Sequence, residues 1–528
     1  MTNAQQQQAV LIEALQRPET WPHPVEEVVH IETHISHVLL AGEYAYKIKK
    51  PLDLGFLDFS TLEKRRFFCE EELRINRRLA PELYEGLVTI AGEAGAPVIE
   101  GSGEPLEYAV RMKRFDREQE LDKLLERNEL AVECMDELAE RAARFHNEIP
   151  RASEGSGFGT PEAVLAPMEE NFDQLAPLLD DDDRLAQLER LRGWTRKRYE
   201  SLRSVLEARH RDGFIRECHG DMHLGNMARI GGELVIFDGI EFSEALRWVD
   251  IISEVAFVTM DLHDRNAPAH ARRFLNAWLE QTGDYAGLVL LRFYEVYRAM
   301  VRAKVAGIRL SQTKDPQECE HTRALCHEYL DLAERRTAET GAALLINHGL
   351  SGSGKTTRSQ VLVEELGMVR IRSDVERKRL AGMSATDRAD EEIGGGLYAS
   401  DMSDRTYRRL EELCEQVLQA GHPVIADATF LEATYRERFA QLAGRLQVPF
   451  SILDYRAPED VLRERVKRRA ERDNDASDAG LSVLEHQLQN AELLKGNEPV
   501  IPVEHDSPLP LETISGLLRQ TDASPAGP

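Results

Sequence analysis

The run GLSGSGKT at residues 349–356 constrains the fold more than any other stretch of the chain. It matches G-x-x-x-x-G-K-[ST] at every fixed position, follows an apolar strand pattern and opens a helical one. The glycines let backbone N–H groups curl around phosphate oxygens, and the helix N-terminus adds positive dipole there. The motif therefore predicts a phosphate-binding loop after a strand of a parallel α/β sheet, with ATP as the cofactor.

This loop predicts a defined set of nucleotide and metal contacts. Lys355 would reach the β- and γ-phosphates, and Thr356 would hold Mg²⁺. The remaining predicted contacts with the nucleotide are Gly349, Ser351, Gly352, Ser353, Gly354 and Thr357.

Charged residues near the ends of later segments add to this predicted site. Asp374 follows the strand pattern MVRIR, where a carboxylate could take a proton from a substrate hydroxyl or simply cap a helix. Asp427 ends the apolar run VIAD and is a predicted Mg²⁺ ligand. Arg465 and Arg469 share one helix face, and they either close over the phosphates or form a solvated charged helix.

A second, unrelated motif lies a little over a hundred residues earlier, in ECHGDMHLGNMARIGGELVIFDGIEF at residues 217–242. His219, Asp221 and Asn226 have the spacing H-x-D-x-x-x-x-N, and a short strand then ends in Asp238-Gly239. That order is typical of phosphoryl transfer: Asp221 would accept the proton of a hydroxyl, while Asn226 and Asp238 would bind Mg²⁺.

Upstream residues complete this second predicted site. A strand lysine should bind the α- and β-phosphates and pair with a helix glutamate. Lys47 and Lys49 alternate onto the same strand face, so periodicity does not choose between them. We predict Lys47, because Lys49 abuts a strand end, and we predict Glu72 as its partner, with Glu71 as the alternative.

The hinge next to the adenine is predicted in RMKRF, at Met112 and its neighbour Lys113. The chain departs from the usual phosphate-covering pattern here, because it has no G-x-G-x-x-G. Gly42 is the only glycine in the turn that leads into the strand of the predicted lysine.

Bulk properties restrict the remaining classes of protein. With 528 residues, two or three domains are expected. A net charge of -27 argues against unspecific binding to nucleic acid or to an anionic membrane. The N-terminus lacks a signal-peptide pattern, and no apolar run reaches the ~20 residues that span a bilayer. We therefore predict a cytoplasmic protein and leave its oligomeric state open.

Both motifs also resemble known families. HGDMHLGN, with Gly220 and His223, looks like the aminoglycoside phosphotransferase and choline kinase branch of the kinase-like fold. The segment from about residue 341 to 505 resembles small P-loop kinases, which include polynucleotide 5′-kinases, gluconate-type kinases and zeta-toxin-like enzymes. Together with THISHVLL and SDVERKRL, these motifs resemble bacterial two-domain proteins that fuse a phosphotransferase-like domain to a P-loop kinase-like ATPase domain of the AAA family.

The resemblance implies an α+β protein-kinase-like domain followed by an α/β P-loop NTPase domain with a mostly parallel sheet. We place the domains at residues 1–335 and 336–510, with a partly disordered tail at 511–528. The expected function is ATP-dependent phosphoryl transfer to a hydroxyl of a small molecule at both sites. The alternatives are a nucleotide-sensing regulator in one domain, and a nucleic-acid 5′-hydroxyl or toxin-like kinase in the P-loop domain.

Overall fold

The computed structural model describes residues 3–53, 55, 57–153, 155–338, 341–383, 400–470 and 480–519. The chain divides into two compact units. The first comprises Met1–Ala131, Arg144–Pro177 and Thr195–Asp261; the second comprises Val132–Ala143, Leu178–Trp194 and Leu262–Pro528. The predicted domain limits at residues 335 and 510 stay predictions. Among the helices of the described ranges, none combines the length and the apolar character needed to cross a bilayer.

An antiparallel sheet of six strands forms one layer of the first unit, in the order β1-β2-β3-β6-β4-β5. The strands are β1 (Val28–Glu32), β2 (Ser36–Ala41), β3 (Tyr44–Lys49), β4 (Tyr84–Glu93), β5 (Ala96–Ile99) and β6 (Glu107–Lys113). In β3, Lys47 lies opposite Val38 of β2 and Val110 of β6, so the predicted lysine occupies the middle of the sheet.

Helices and two small sheets complete the chain up to residue 264. The helices are α1 (Asn3–Leu15), α2 (Leu62–Asn76), α3 (Leu121–Glu126), α4 (Cys134–Glu148), α5 (Pro161–Leu175), α6 (Asp182–Arg211), α7 (Glu244–Arg247) and α8 (Ile251–Asp264). The short strands are β7 (Ile215–Glu217), β8 (Met227–Ile230), β9 (Glu233–Ile236) and β10 (Trp248–Asp250), and β7 pairs with β10 while β8 pairs with β9.

Helix α2 begins after the N-cap residue Thr61. The Thr61 hydroxyl accepts a hydrogen bond from the Lys64 N–H, at 3.3 Å, which satisfies one unpaired donor of the first turn. Cys69 and Leu73 of α2 then pack on Tyr108 and Val110 of β6. This packing places the side chain of the intervening Glu72 in the buried space next to β3.

The second unit contains a parallel sheet of five strands, in the order β12-β13-β11-β14-β15. The strands are β11 (Leu344–His348), β12 (Val369–Arg372), β13 (Val424–Asp427), β14 (Phe450–Arg456) and β15 (Val500–Glu504). Their near-continuous apolar sequences are typical of strands covered on both faces. The carboxyl ends of parallel strands meet at one edge, so the phosphate loop after β11, Asp374 after β12 and Asp427 at the end of β13 share that edge.

Ten helices are described after residue 264. They are α9 (Pro268–Thr282), α10 (Leu288–Gln312), α11 (Pro316–Thr337), α12 (Lys355–Leu366), α13 (Ser373–Leu380), α14 (Ser400–Gln419), α15 (Ala433–Leu446), α16 (Glu459–Ala470), α17 (Leu481–Asn490) and α18 (Leu511–Arg519). Part of the predicted tail therefore forms α18, whose Ile514 is fully buried; residues 520–528 lie outside the described residues. The predicted fold class is confirmed, with an α+β unit and an α/β unit whose sheet is wholly parallel.

Candidate active sites

Two lysines converge on Glu72 in the first unit. Lys47 Nζ lies 2.8 Å from Glu72 Oε1, and Lys49 Nζ lies 2.6 Å from Oε2. The alternative glutamate, Glu71, instead contacts Arg74 and Arg247. The structure thus brings Lys47 and Glu72 together as an ion pair, and it adds Lys49 to the same carboxylate.

This cluster stays charged although it is buried. Burial opposes ionisation of Glu72, but the neighbouring Lys47 and Lys49 lower the pKa of its carboxyl group. Burial likewise opposes the charge on Lys47, yet Asp238 and Glu72 hold the pKa of its ammonium group well above the ordinary value. Both groups are therefore ionised at neutral pH.

Asp238 takes its position through a backbone conformation that is unusual for a residue with a side chain. Its φ is 62°, in the left-handed region. Its N–H donates to the Tyr84 hydroxyl at 3.1 Å, and the next N–H, of Gly239, donates to Asn76 Oδ1 at 2.8 Å. These contacts turn the carboxylate toward β3, where Lys47 Nζ lies 2.6 Å from Oδ1.

His219 joins the loop of Asp221 to the segment after β9 that carries Asp238. Its Nε2 lies 2.9 Å from the Phe237 carbonyl oxygen, and its Nδ1 accepts the Asp221 N–H at 3.3 Å. These partners require the neutral tautomer with hydrogen on Nε2. Burial supports that form, because it lowers the pKa of the imidazole.

Asp221 and Asn226 contact each other directly. Asn226 Nδ2 donates to the backbone oxygen of Asp221 at 3.0 Å and to its Oδ2 at 3.1 Å. The amide nitrogen is thereby engaged, and the oxygen Oδ1 is the atom of Asn226 that suits a cation. His223 Nε2 also lies 3.4 Å from Asp221 Oδ2. Because the Asp221 side chain is 37% exposed, a substrate hydroxyl can approach it.

Two carboxylates of α8 accept hydrogen bonds from the backbone of the loop that carries Asp221. Glu254 Oε1 accepts the Gly220 N–H at 2.7 Å, while its Oε2 lies 2.9 Å from His146 Nε2. Asp261 Oδ2 accepts the Leu224 N–H at 2.9 Å. Sequence reasoning missed Asp261, which carries no motif that could have revealed its contact.

The predicted hinge and the turn of Gly42 lie at neighbouring ends of β6 and β3. Met112 lies opposite Ala45 of β3, but the N–H of the following Lys113 donates to the Leu83 carbonyl at 2.9 Å. Gly42 has a φ of 61°, and a Cβ there would lie 2.6 Å from the Pro24 carbonyl oxygen. The turn therefore packs closely against the N-terminal segment at Pro24.

In the second unit, the phosphate loop closes tightly on the edge of the sheet. Gly349 has a φ of 146°, and a Cβ there would lie 2.8 Å from the Tyr455 carbonyl oxygen, so glycine is required. Lys355 Nζ donates to the carbonyl oxygens of Gly349 and Leu350, each at 2.8 Å. The lysine thus already points at the mouth of the loop, where the terminal phosphates of a nucleotide would lie.

Thr356 and Asp427 are brought together as the sequence predicts for a metal site. The Thr356 hydroxyl donates to Asp427 Oδ2 at 2.8 Å, and Asn347 Nδ2 donates to Oδ1 at 2.8 Å. Asp427 is 5% exposed, so its carboxylate is held in one orientation. Sequence reasoning missed Asn347, which lies within the apolar strand β11.

Residues outside the loop also contact it. The Ser351 N–H donates to Gln487 Oε1 of α17 at 2.8 Å, and Arg465 of α16 approaches the carbonyl oxygens of Gly352 and Ser353 at 3.4 and 3.5 Å. The side chain of Arg469 lies outside the described residues. A cavity of about 520 Å³ adjoins the loop, with Leu350 and Ser353 in its wall.

The other predicted residues of this unit lie around the loop. Asp374 is in the first turn of α13, and its Oδ1 lies 2.9 Å from Arg377. Gly354 has a φ of 92° and precedes α12, whose first turn contains the exposed Thr357. The alternative role as a helix cap does not hold, because the N-cap residue of α13 is Arg372, whose side chain makes no capping hydrogen bond. The role of Asp374 as a base stays a prediction.

Comparisons with known proteins show the family to which the chain belongs. Residues 344–494 match the family model described as AAA domain. The chain is 30% identical over 464 residues to the uncharacterized protein Rv2004c of Mycobacterium tuberculosis (strain ATCC 25618 / H37Rv), with 86% of this chain and 89% of that protein covered. The chain belongs to the Rv2004c family. Residues 344–494 of this family member contain the AAA-family P-loop domain that the sequence predicts.

Two solved structures are similar to parts of this Rv2004c family member. One is a choline/ethanolamine kinase family protein from Mesorhizobium loti, at 11% identity and a TM-score of 0.37, covering 62% of this chain and 99% of that chain. The other is a gluconokinase from Sinorhizobium meliloti 1021, at 21% identity and a TM-score of 0.25, covering 35% of this chain and 96% of that chain.

Proposed function

We propose that the protein is an ATP-dependent phosphotransferase with two sites, each of which transfers the γ-phosphoryl group of ATP to a hydroxyl of a small molecule. The observation that carries the proposal is the ordered contact series Asp238–Lys47–Glu72 in the first unit, next to the contacting pair Asp221 and Asn226. Three separate stretches of sequence supply these groups, namely β3, α2 and residues 217–242, and their convergence is what phosphoryl transfer requires.

In the first unit, Lys47 holds the α- and β-phosphates and Glu72 orients Lys47, while backbone atoms at Met112 contact the adenine. Asn226 Oδ1 and the Asp238 carboxylate are oxygen donors of the kind that Mg²⁺ prefers. A bound Mg²⁺ would neutralise charge on the phosphates. Asp221 accepts the proton of the substrate hydroxyl as its oxygen attacks the γ-phosphorus, and the bond between that phosphorus and ADP breaks.

In the second unit, the N–H groups of residues 349–357 surround the phosphates, and Lys355 turns from the loop carbonyls to the terminal phosphates. Thr356 and Asp427 form the proposed Mg²⁺ site, since their oxygens already lie 2.8 Å apart. Arg465, together with Arg469, supplies positive charge over the phosphates. Asp374 acts as the base toward the hydroxyl of the second substrate.

The partner that this proposal assigns to each site is a small molecule with a free hydroxyl group. The net charge of -27 favours a neutral or cationic acceptor over a polyanion. Neither a membrane nor a nucleic acid is required for the chemistry of either site.

The test separates binding from transfer at Asp221. We expect Asp221→Asn to bind ATP at the first unit as the wild type does, because this side chain is a base in the proposal and not a metal ligand. Transfer of label from γ-labelled ATP to small molecules of a cell extract should be lost for the product of that unit. Asp374→Asn provides the matched variant in the second unit. Equal labelling by Asp221→Asn and the wild type would remove Asp221 as the base.

A further inference from the structure

A second buried ion pair lies behind Lys47 and Glu72. Lys49 Nζ contacts Glu241 Oε1 as well as Glu72 Oε2. The side chain of Lys49 is fully buried, and that of Glu241 is 4% exposed. Three carboxylates and two ammonium groups thus form one continuous series, Asp238–Lys47–Glu72–Lys49–Glu241.

Glu241 follows Asp238 by three residues, so the series begins and ends on the same short segment. Within this segment, the Gly239 N–H bonds Asn76 Oδ1 of α2 at 2.8 Å, and the Ile240 N–H bonds the His219 carbonyl oxygen at 2.9 Å. Asp238 has a left-handed φ, which costs about 1 kcal/mol or more for a residue with a Cβ. The surroundings must therefore hold the segment at several points.

Lys49 is the group that ties this segment to β3 and α2 at once. Without Lys49, two buried carboxylates, Glu72 and Glu241, would face each other, and both would compete for Lys47. Lys47 would then be drawn away from Asp238. Without Glu241, Lys49 would remain paired with Glu72. The segment that carries Asp238 would then lose the ion pair that attaches its Glu241 end to β3.

We propose that Lys49 and Glu241 are a positioning pair for the metal site of the first unit: they fix Glu72 toward Lys47 and keep the Asp238 carboxylate aimed at the cation, without touching the nucleotide themselves. This inference rests on the proposed function of that unit. A buried ion pair adds little net stability over apolar residues of the same volume. What the pair supplies is therefore geometry, since it joins β3, α2 and the segment of residues 238–241.

The experiment uses the full chain with Lys355→Ala, which silences the nucleotide site of the second unit. In this parent, ATP is the probe, and its binding is measured by calorimetry at increasing Mg²⁺. We expect Glu241→Gln to raise the half-saturating Mg²⁺ concentration by roughly 10- to 100-fold, as for other residues that orient metal ligands. Binding of ATP without metal should change by less than about threefold, since the pair does not contact the nucleotide.

The matched control is Glu107→Gln. Glu107 is 1% exposed and pairs with Arg65 Nε at 2.9 Å, so its variant loses the same kind of buried charge outside the lysine series. It should leave the Mg²⁺ dependence of ATP binding as in the parent. A purely structural effect would instead shift Glu241→Gln and Glu107→Gln alike, and that result would overturn the proposal.

A second variant distinguishes the proposed positioning effect from a folding defect. Lys49→Met with Glu241→Leu removes both buried charges, which folded proteins tolerate better than the loss of one. The increased Mg²⁺ requirement should persist in this double variant, and a return to the parent value would overturn the proposal. If the parent binds ATP and Glu241→Gln matches it, only this inference fails. If the parent binds no ATP at any Mg²⁺ concentration, the proposed function of the first unit fails and this inference falls with it.

Discussion

Replacing Arg370 tests whether helix α9 is an integral part of the P-loop unit. Arg370 lies on β12 and is 6% exposed. Its Nε and Nη2 atoms lie 3.1 and 3.0 Å from Glu280 Oε1 of α9, and its Nη1 donates to the Thr356 carbonyl oxygen at 3.0 Å. Its backbone N–H also bonds Asn276 Oδ1 of α9 at 2.7 Å. One side chain thus joins α9, β12 and the end of the phosphate loop.

Arg370→Met should lower the stability of the second unit strongly. The variant removes the guanidinium that binds Oε1 of the Glu280 carboxylate, which is 12% exposed, and leaves Arg372 Nη1 at 3.7 Å from Oε2. Removing one member of a buried ion pair costs about 3–5 kcal/mol. The change in melting temperature for a unit of this size is ~2–4 °C per kcal/mol, which gives a decrease of roughly 6–20 °C.

The assay is hydrogen exchange of β11, β12 and β13 in increasing urea, because it reports the free energy of opening for that sheet alone. The control is Arg445→Met: Arg445 contacts Glu415 at 3.1 Å and is 54% exposed. An exposed pair of this kind contributes about 0–1 kcal/mol. If Arg370→Met costs no more than Arg445→Met, α9 is not part of the unit's stable core and the reasoning is refuted.

Three further predictions concern the second unit. Burial lowers the pKa of His422 to about 3, whereas an unfolded imidazole binds a proton below its ordinary pKa of about 6.5; stability should therefore fall as pH drops below that value. The loss from this residue is about 2 kcal/mol at pH 5, and urea unfolding of His422→Gln should show a weaker acid dependence by that amount. Asp427→Asn should reduce Mg²⁺-dependent ATP turnover of this unit by roughly 100-fold or more, because a neutral amide replaces the carboxylate beside Thr356; turnover measured with Asp221→Asn also present isolates the effect. Gln487→Ala should strengthen ATP binding severalfold, by about 1 kcal/mol, since it frees the Ser351 N–H for the nucleotide; calorimetry that shows weaker binding would contradict this.

The fold of the second unit was accessible from the sequence because its signals are local. The strand, loop and helix of residues 344–366 follow one another directly, and the apolar strands end in Asp427 and before Asp374. The role of α9 was not accessible, since Asn276 and Arg370 are 94 residues apart and neither belongs to a motif.

In the candidate site of the first unit, too, the local motifs were predictable and the contacts between distant segments were not. The spacing of Asp221, Asn226 and Asp238 is visible in one dimension, because a single loop and strand carry them. The sequence cannot choose between Lys47 and Lys49, which share a strand face, and in the folded protein both reach Glu72. Glu241 was missed because its partner, Lys49, lies on β3, far away in the sequence. Only the folded chain brings them together with Glu72 of α2.

The most direct test of two phosphotransferase sites is ATP consumption by three variants in the presence of the small-molecule fraction of a cell extract. With two independent sites, Asp221→Asn and Lys355→Ala should each lose a different labelled product while the other product persists. The combination of both substitutions should lose all phosphoryl transfer. If Lys355→Ala alone abolishes all ATP consumption, the first unit is not an independent phosphotransferase, and the central claim is wrong.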